Sequence, residues 1–262
     1  MDIKQLVSIR IVSQRQEDLT RTEELIGKLD LPKPTVETGA TRFFLAYRND
    51  RLELFDSTLQ DSAHPLSVDF LAGPSYYRFL NDRRINQPLG KAVGIRKGIR
   101  PTVCDVTAGC GEDGFVLACL GCRVVLIERS PIVWALLDDG LRRAAAHPQI
   151  GKLVAERISL YLSDAEQFLA ATDVTFDTVY LDPMYPSPKK SALNKLKMRL
   201  LRAIVGDDLD SGKLIGAAKK ALPARIAVKR PLRAPTLTPA RPHFSVAGKS
   251  SRFDVYLPPY LW

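Results

Sequence analysis

The chain has 262 residues, room for one large domain or one domain with a small companion, and its 45% apolar content is ordinary for a globular core. No apolar run approaches the length of a membrane span and no signal peptide opens the chain, so a soluble, cytoplasmic protein is expected. Net charge is +9 and lopsided: residues 1–82 hold ten Lys/Arg against thirteen Asp/Glu, and residues 83–262 hold 28 against 16.

Residues 2–12 read as a strand. Glu17 to Leu29 carries apolar residues at 19, 25, 26 and 29, which suits an amphipathic helix. Thr41 to Tyr47 and Arg51 to Phe55 flank Asn49-Asp50, a hairpin turn. These pieces predict a small α+β unit over 1–65, with the main domain over 66–262. The small unit carries no catalytic motif, and its lone His64 reads as a loop residue. Residues 75–99 read as a basic connector in which a helix starts near 87–93. From 101 onward the pattern alternates, with strands near 102–106, 123–128, 157–163, 177–182 and 224–229. Helices fall near 113–120, 131–146, 165–171, 190–204 and 208–221. Alternation of this kind predicts an α/β fold, a mostly parallel, Rossmann-like sheet covered on both faces. Phe244 to Ala247 and Arg252 to Leu257 add a C-terminal hairpin and an antiparallel edge.

One loop stands out. Asp105-Val-Thr-Ala-Gly-Cys-Gly-Glu-Asp-Gly114 follows a strand, opens a helix and precedes Arg123-Val-Val-Leu-Ile-Glu128, a strand ending in an acid. Strand, glycine loop, helix, strand, acid describes a nucleotide-type cofactor at the carboxyl edge of a parallel sheet. Gly109, Gly111 and Gly114 let the backbone approach the ligand, and Glu128 is placed to accept from a ribose. The spacing also matches a dinucleotide loop. Against that reading, Asp105, Glu112 and Asp113 would crowd a pyrophosphate with like charge. They suit a cofactor carrying positive charge, such as S-adenosylmethionine.

A second motif points the same way. Phe176 to Asp182 reads as a buried strand running into Pro183-Met-Tyr-Pro186. Asp-Pro-x-Tyr at a strand end is similar to the signature of methyltransferases acting on exocyclic or amide nitrogens. The lone pair of such an amine is delocalised. Acceptors on its hydrogens, here the Asp182 carboxylate and the Pro183 carbonyl, can localise and aim it. Proline stiffens the turn, and Tyr185 offers a face on which an extruded base can stack. The plain alternative is a strand end with a proline turn.

All four cysteines lie within 104–122, and Cys119-Leu-Gly-Cys122 has metal or redox spacing. No second such pair or His pair accompanies it, so buried thiols and no metal are expected. Residues 183–205 and 211–253 contain no acid, with six and ten Lys/Arg. Basic density downstream of the catalytic strand suggests a polyanionic substrate, namely nucleic acid.

The motifs together resemble one family. Asp105-Val-Thr-Ala-Gly, Val125-Leu-Ile-Glu-Arg129, Leu136-Leu-Asp-Asp-Gly140, Tyr180-Leu-Asp-Pro-Met-Tyr-Pro186, Lys189-Lys-Ser-Ala-Leu193, Val228-Lys-Arg-Pro231 and Arg252-Phe-Asp-Val-Tyr256 look like the bacterial small-subunit ribosomal RNA methyltransferase J family. The likeness runs from about Val68 to Tyr256, and the first 65 residues match poorly. The resemblance implies a class I methyltransferase that moves a methyl from S-adenosylmethionine to the exocyclic N2 of a guanine in 16S rRNA. It implies the small ribosomal subunit or its RNA as partner. It implies cofactor contacts at Glu112, Asp113, Glu128, Arg129, Asp164, Ala165 and Asp182, beside the Asp105, Gly109 and Gly111 read from the loop itself. Asp182, Pro183 and Tyr185 would act on the base. Lys189, Lys190, Lys229 and Arg230 are candidate phosphate contacts. Glu112 stands where the family often has Arg, and Asn81 to Gln87 replaces its glycine-rich basic segment. Two other readings stay open: an adenine-N6 or other nucleic-acid amine methyltransferase, and a non-catalytic RNA-binding or assembly protein on the same fold.

Overall fold

The computed structural model describes residues 7–10, 15–30, 42–58, 65–81, 85–183, 200–201, 203–205 and 211–260. Val7–Ile9 (β1) pairs in parallel with Phe43–Arg48 (β2), which turns back onto Arg51–Asp56 (β3). The turn residues Asn49 and Asp50 both have positive φ, 52° and 62°. Two successive left-handed residues suit the twist of paired strands, and Asn and Asp tolerate that region best. Gln16–Leu29 (α1) lies between β1 and β2 and buries Leu25.

The larger sheet uses Thr102–Asp105 (β4), Arg123–Glu128 (β5), Ile158–Leu162 (β6), Thr178–Leu181 (β7), Arg225–Pro231 (β8), Phe244–Ala247 (β9) and Ser251–Tyr256 (β10). Its order is β6-β5-β4-β7-β8-β10-β9. Strands β4 to β8 are parallel, and β10 inserts antiparallel between β8 and β9. The helices are Gly73–Asn81 (α2), Pro88–Val93 (α3), Glu112–Cys119 (α4), Pro131–Ala145 (α5), Gly151–Arg157 (α6), Ala165–Ala171 (α7) and Ser211–Lys220 (α8).

Period-two alternation along the strands divides the apolar residues into two cores. Val103, Val124, Leu126, Tyr180 and Ala227 face the core under α4 and α5. Cys104, Ile127, Val179, Leu181, Ile226 and Val228 face the core under α7 and α8. A strand covered on both faces must be apolar at nearly every position, which is why the sequence reads as short continuous apolar runs. Gly114 permits the close seating of α4 on the sheet, since a Cβ there would fall 2.4 Å from Leu126 Cδ2.

The three-stranded sheet has no separate core. Val7, Ile9, Phe43, Leu45, Leu52 and Leu54 join the same cluster as the α4–α5 face. Polar contacts lock the seam to α5. Asp139, 2% exposed, accepts from the Leu52 amide at 3.1 Å and from Arg143 Nε at 2.9 Å. Lys28 Nζ sits 4.1 Å over the Trp134 ring and 3.7 Å from Asp138.

Most expected elements lie where the pattern placed them. Two short helices, α2 and α6, arise where no helix is expected: α2 overlaps the stretch read as connector, and α6 lies between the expected helix over 131–146 and the strand over 157–163. They open on a glycine and have only 9 and 7 residues, too few to declare an apolar face. The expected helix over 190–204 falls largely outside the described residues. Among the described residues, no helix is long and apolar enough to cross a membrane.

Candidate active site

Four parallel strands deliver acids to one edge. Strand β4 ends on Asp105, β5 on Glu128, β6 two residues before Asp164 and β7 one residue before Asp182. The strand order reverses between β4 and β7. Helix α4, which follows β4, covers one face of the sheet, and α8, which precedes β8, covers the other, so the sheet edge opens there into a crevice. The two strand ends are nevertheless tied together. The Val106 amide donates to the Tyr180 carbonyl at 3.1 Å, and the Asp182 amide donates to Thr107 Oγ1 at 2.6 Å.

The glycine loop is held by Glu128. Its Oε2 accepts from the Gly109 amide at 2.9 Å, and its Oε1 accepts from the Ser130 amide at 2.7 Å. Ser130 in turn caps α5, with its hydroxyl accepting from the Val133 amide at 3.4 Å. Gly109 and Gly111 both take left-handed backbone, φ 54° and 72°. The missing side chain of Gly109 looks into open space, with only the Thr107 carbonyl at 3.9 Å. Bare backbone beside a fixed carboxylate is thus exposed at the loop.

Asp164 caps α7 by accepting from the amides of Glu166 and Gln167 at 2.9 and 3.1 Å, and Ala165 is buried behind it. Glu112 and Arg129 are exposed at the rim, and Pro183 is buried. Asp105 is 2% exposed and accepts from the Thr107 amide at 3.1 Å. Burial pushes its carboxyl up to about 8, against the pull of that hydrogen bond.

The loop acid Asp113 turns inward. Its Oδ2 accepts from the Tyr180 hydroxyl at 2.6 Å and from Lys229 Nζ at 2.7 Å. The same ammonium reaches Asp182 Oδ2 at 2.9 Å. Burial works to lower the Lys229 pKa, but Asp113 and Asp182 outweigh it and hold it raised. Burial and the same carboxylates push the Tyr180 phenol far up.

Two of the residues expected to contact phosphate turn toward the protein. The Lys229 ammonium lies between two carboxylates of the site. Arg230 is 5% exposed and donates Nε to the Pro235 carbonyl at 3.0 Å, so it is part of the interior. Tyr185, Lys189 and Lys190 lie outside the described residues. Sequence reasoning missed Thr107, Tyr180 and Ser130 as site residues. Thr107 and Tyr180 stood inside the quoted motifs, and the available signal was a polar group at an inward position of an apolar strand or its end.

All four cysteines are free thiols, and among the described residues no cluster of His, Cys, Asp and Glu is placed to hold a metal ion. Burial lifts Cys122 to about 12, well away from thiolate chemistry at neutral pH.

This set of groups suits a ligand with hydroxyls and positive charge. Glu128 can accept from vicinal ribose hydroxyls beside the bare loop, and the acids disfavour a pyrophosphate. Comparison with known proteins agrees. A family described as "Putative SAM-dependent methyltransferase" matches residues 25–258. Ribosomal RNA small subunit methyltransferase J of Desulfotalea psychrophila is 48% identical over 219 residues, covering 83% of this chain and 84% of that protein. The protein of the same name from Thioalkalivibrio sulfidiphilus is 43% identical, covering 96% and 97%.

The chain belongs to the ribosomal RNA small subunit methyltransferase J family.

A crystal structure of an S-adenosylmethionine-dependent methyltransferase from Neisseria gonorrhoeae is 32% identical, with a TM-score of 0.73 and 97% and 96% coverage. The protein is a class I methyltransferase that uses S-adenosylmethionine, and its strand order with one inserted antiparallel strand is that of the class. The family match begins at residue 25, inside the N-terminal unit, so the likeness reaches further than the sequence motifs indicated.

Two outcomes are expected from the site. Glu128→Ala removes an acceptor and frees the glycine loop, so S-adenosylmethionine affinity by calorimetry falls by about 1.5–3 kcal/mol. Unchanged affinity with an intact fold contradicts this assignment. Asp105 ionises near 4 in the unfolded chain and near 8 in the folded one, so its contribution to stability is full below about 4 and is lost as pH rises through about 8. Asp105→Asn keeps the acceptor without the ionisation. Melts of the cofactor-free protein between pH 5 and 9 therefore move in favour of the variant as pH rises, and a pH-independent difference refutes the buried acid.

Proposed function

We propose that this methyltransferase modifies the exocyclic N2 amine of a guanine in small-subunit ribosomal RNA. The observation that carries the reading is the Asp182-Pro183 turn at the crevice between β4 and β7, in a chain whose relatives carry the name ribosomal RNA small subunit methyltransferase J. Asp182 is 40% exposed, so its carboxylate is within reach of a substrate.

In this reading the Asp182 carboxylate and the Pro183 carbonyl accept the amine hydrogens and turn the nitrogen lone pair toward the methyl group. Tyr185 stacks the extruded base. When bound, S-adenosylmethionine supplies a methyl on an already activated sulfur. The nitrogen becomes acidic only once the new bond forms, so no strong general base is needed. What the chain contributes is position and polarisation. Glu128 and the glycine loop hold the ribose, with Asp164 and Ala165 beside the adenine. Lys189 and Lys190 are proposed phosphate contacts, supported by the acid-free basic run over 183–205.

The test is to map modified guanines in ribosomal RNA from cells with the gene, without it, and with Asp182→Ala. One guanine N2 methyl group should vanish in the deletion and in the variant, while purified Asp182→Ala keeps a cooperative melt. Loss of a methyl from an adenine amine instead would assign the enzyme to that chemistry. An unchanged modification map would overturn the reading.

A further inference from the structure

Lys229 has no place in the family motif's chemistry as read above, yet it lies at its centre. It is donated by β8, the neighbour of β7, and its ammonium bridges Asp113 of α4 and Asp182 beyond β7. The Tyr180 hydroxyl shares the same Asp113 oxygen. The chain of contacts runs Tyr180 to Asp113 to Lys229 to Asp182, and each donor–acceptor distance is between 2.6 and 2.9 Å. The Lys229 side chain is 27% exposed and that of Asp113 19%, so both are largely shielded from bulk water.

Two carboxylates, Asp113 and Asp182, meet on one ammonium, and the acid Asp105 is buried nearby at the end of β4. Without a cation the two would repel one another, and Asp182, the more exposed, would be the easier to turn away. A short ammonium contact prevents this. It takes hold of one oxygen of Asp182 and stabilises the ionised form. The opposite end of that residue is fixed as well, through its amide on Thr107. A flexible carboxylate at a strand end is thereby held at backbone and side chain.

We infer that Lys229 is a positioning residue for methyl transfer, which fixes Asp182 as an oriented, ionised acceptor for the target amine by bridging it to Asp113. The inference rests on the proposed function of Asp182. It departs from the phosphate-contact expectation for Lys229, and the two make different forecasts. A phosphate contact would govern RNA affinity, and so KM and salt dependence. A positioning residue governs kcat and its pH dependence.

The experiment compares wild type, Lys229→Met and Lys229→Arg, with small ribosomal subunits lacking the modification as substrate. Lys229→Met should lose about ten- to a hundredfold in kcat, as when a group that orients a reacting residue is removed. KM for the subunit should stay within about threefold, and the acid limb of the kcat profile should move to higher pH. Lys229→Arg should recover part of the rate. A readout on the cofactor-free protein accompanies it: Lys229→Met should lower the melting temperature, and Lys229→Arg should lower it less. Wild-type kcat with an unmoved acid limb in Lys229→Met would overturn the inference. So would a defect confined to KM, which would restore the phosphate contact. A wild-type enzyme that methylates no ribosomal RNA amine would overturn the proposed function itself, together with this inference.

Discussion

The site depends on how two strand ends are held apart and yet in register. At the β4–β7 junction the strand order reverses, with α4 on one face of the sheet and α8 on the other, which opens the crevice. The Thr107 hydroxyl ties the two strand ends by accepting the Asp182 amide at 2.6 Å. The Lys229 bridge then spans β8, β7 and α4. The carboxylates of the site therefore serve two roles: they hold the loop and strand ends together, and they present acceptors to the crevice. Glu128 does the same on the other side, by fixing Gly109 and Ser130 while facing the loop.

This economy extends to the N-terminal residues. Helix α5 begins directly after Ser130, whose amide is bound to Glu128, and it carries Asp139 two turns later. Asp139 binds the Leu52 amide of β3. One rigid helix thus runs from the cofactor loop to the three-stranded sheet, and that sheet packs into the same apolar core as α4 and α5. The N-terminal sheet braces the helix on which the loop is mounted.

Much of the fold was legible in the sequence because buried parallel strands leave little choice of residue. Arg123 to Glu128 and Ala165 to Ala171 could be bounded from pattern alone, and the paired Asn49-Asp50 marked its hairpin. Helices α2 and α6 could not, because a helix of one or two turns carries too few apolar positions to declare a period. The acids at the strand ends were visible as chemistry. Their partners were not, because contacts such as Asp113 with Lys229 join residues more than a hundred positions apart. Within the basic run over 211–253, Lys229 and Arg230 turn inward while Lys213, Lys220, Arg233, Arg241 and Lys249 are exposed, since charge along a sequence does not say which cations face outward.

The central claim is that Glu128, the glycine loop and Asp182 form one cofactor and acceptor surface along the edge of the sheet. A crystal structure with S-adenosylhomocysteine tests it most directly. The account predicts both ribose hydroxyls on the Glu128 carboxylate with its Gly109 bond retained, the adenine beside Asp164 and Ala165, and the thioether sulfur near Asp182 with Lys229 still bridging. A ligand whose ribose lies out of reach of Glu128, or whose sulfur lies away from the β4–β7 crevice, would contradict it.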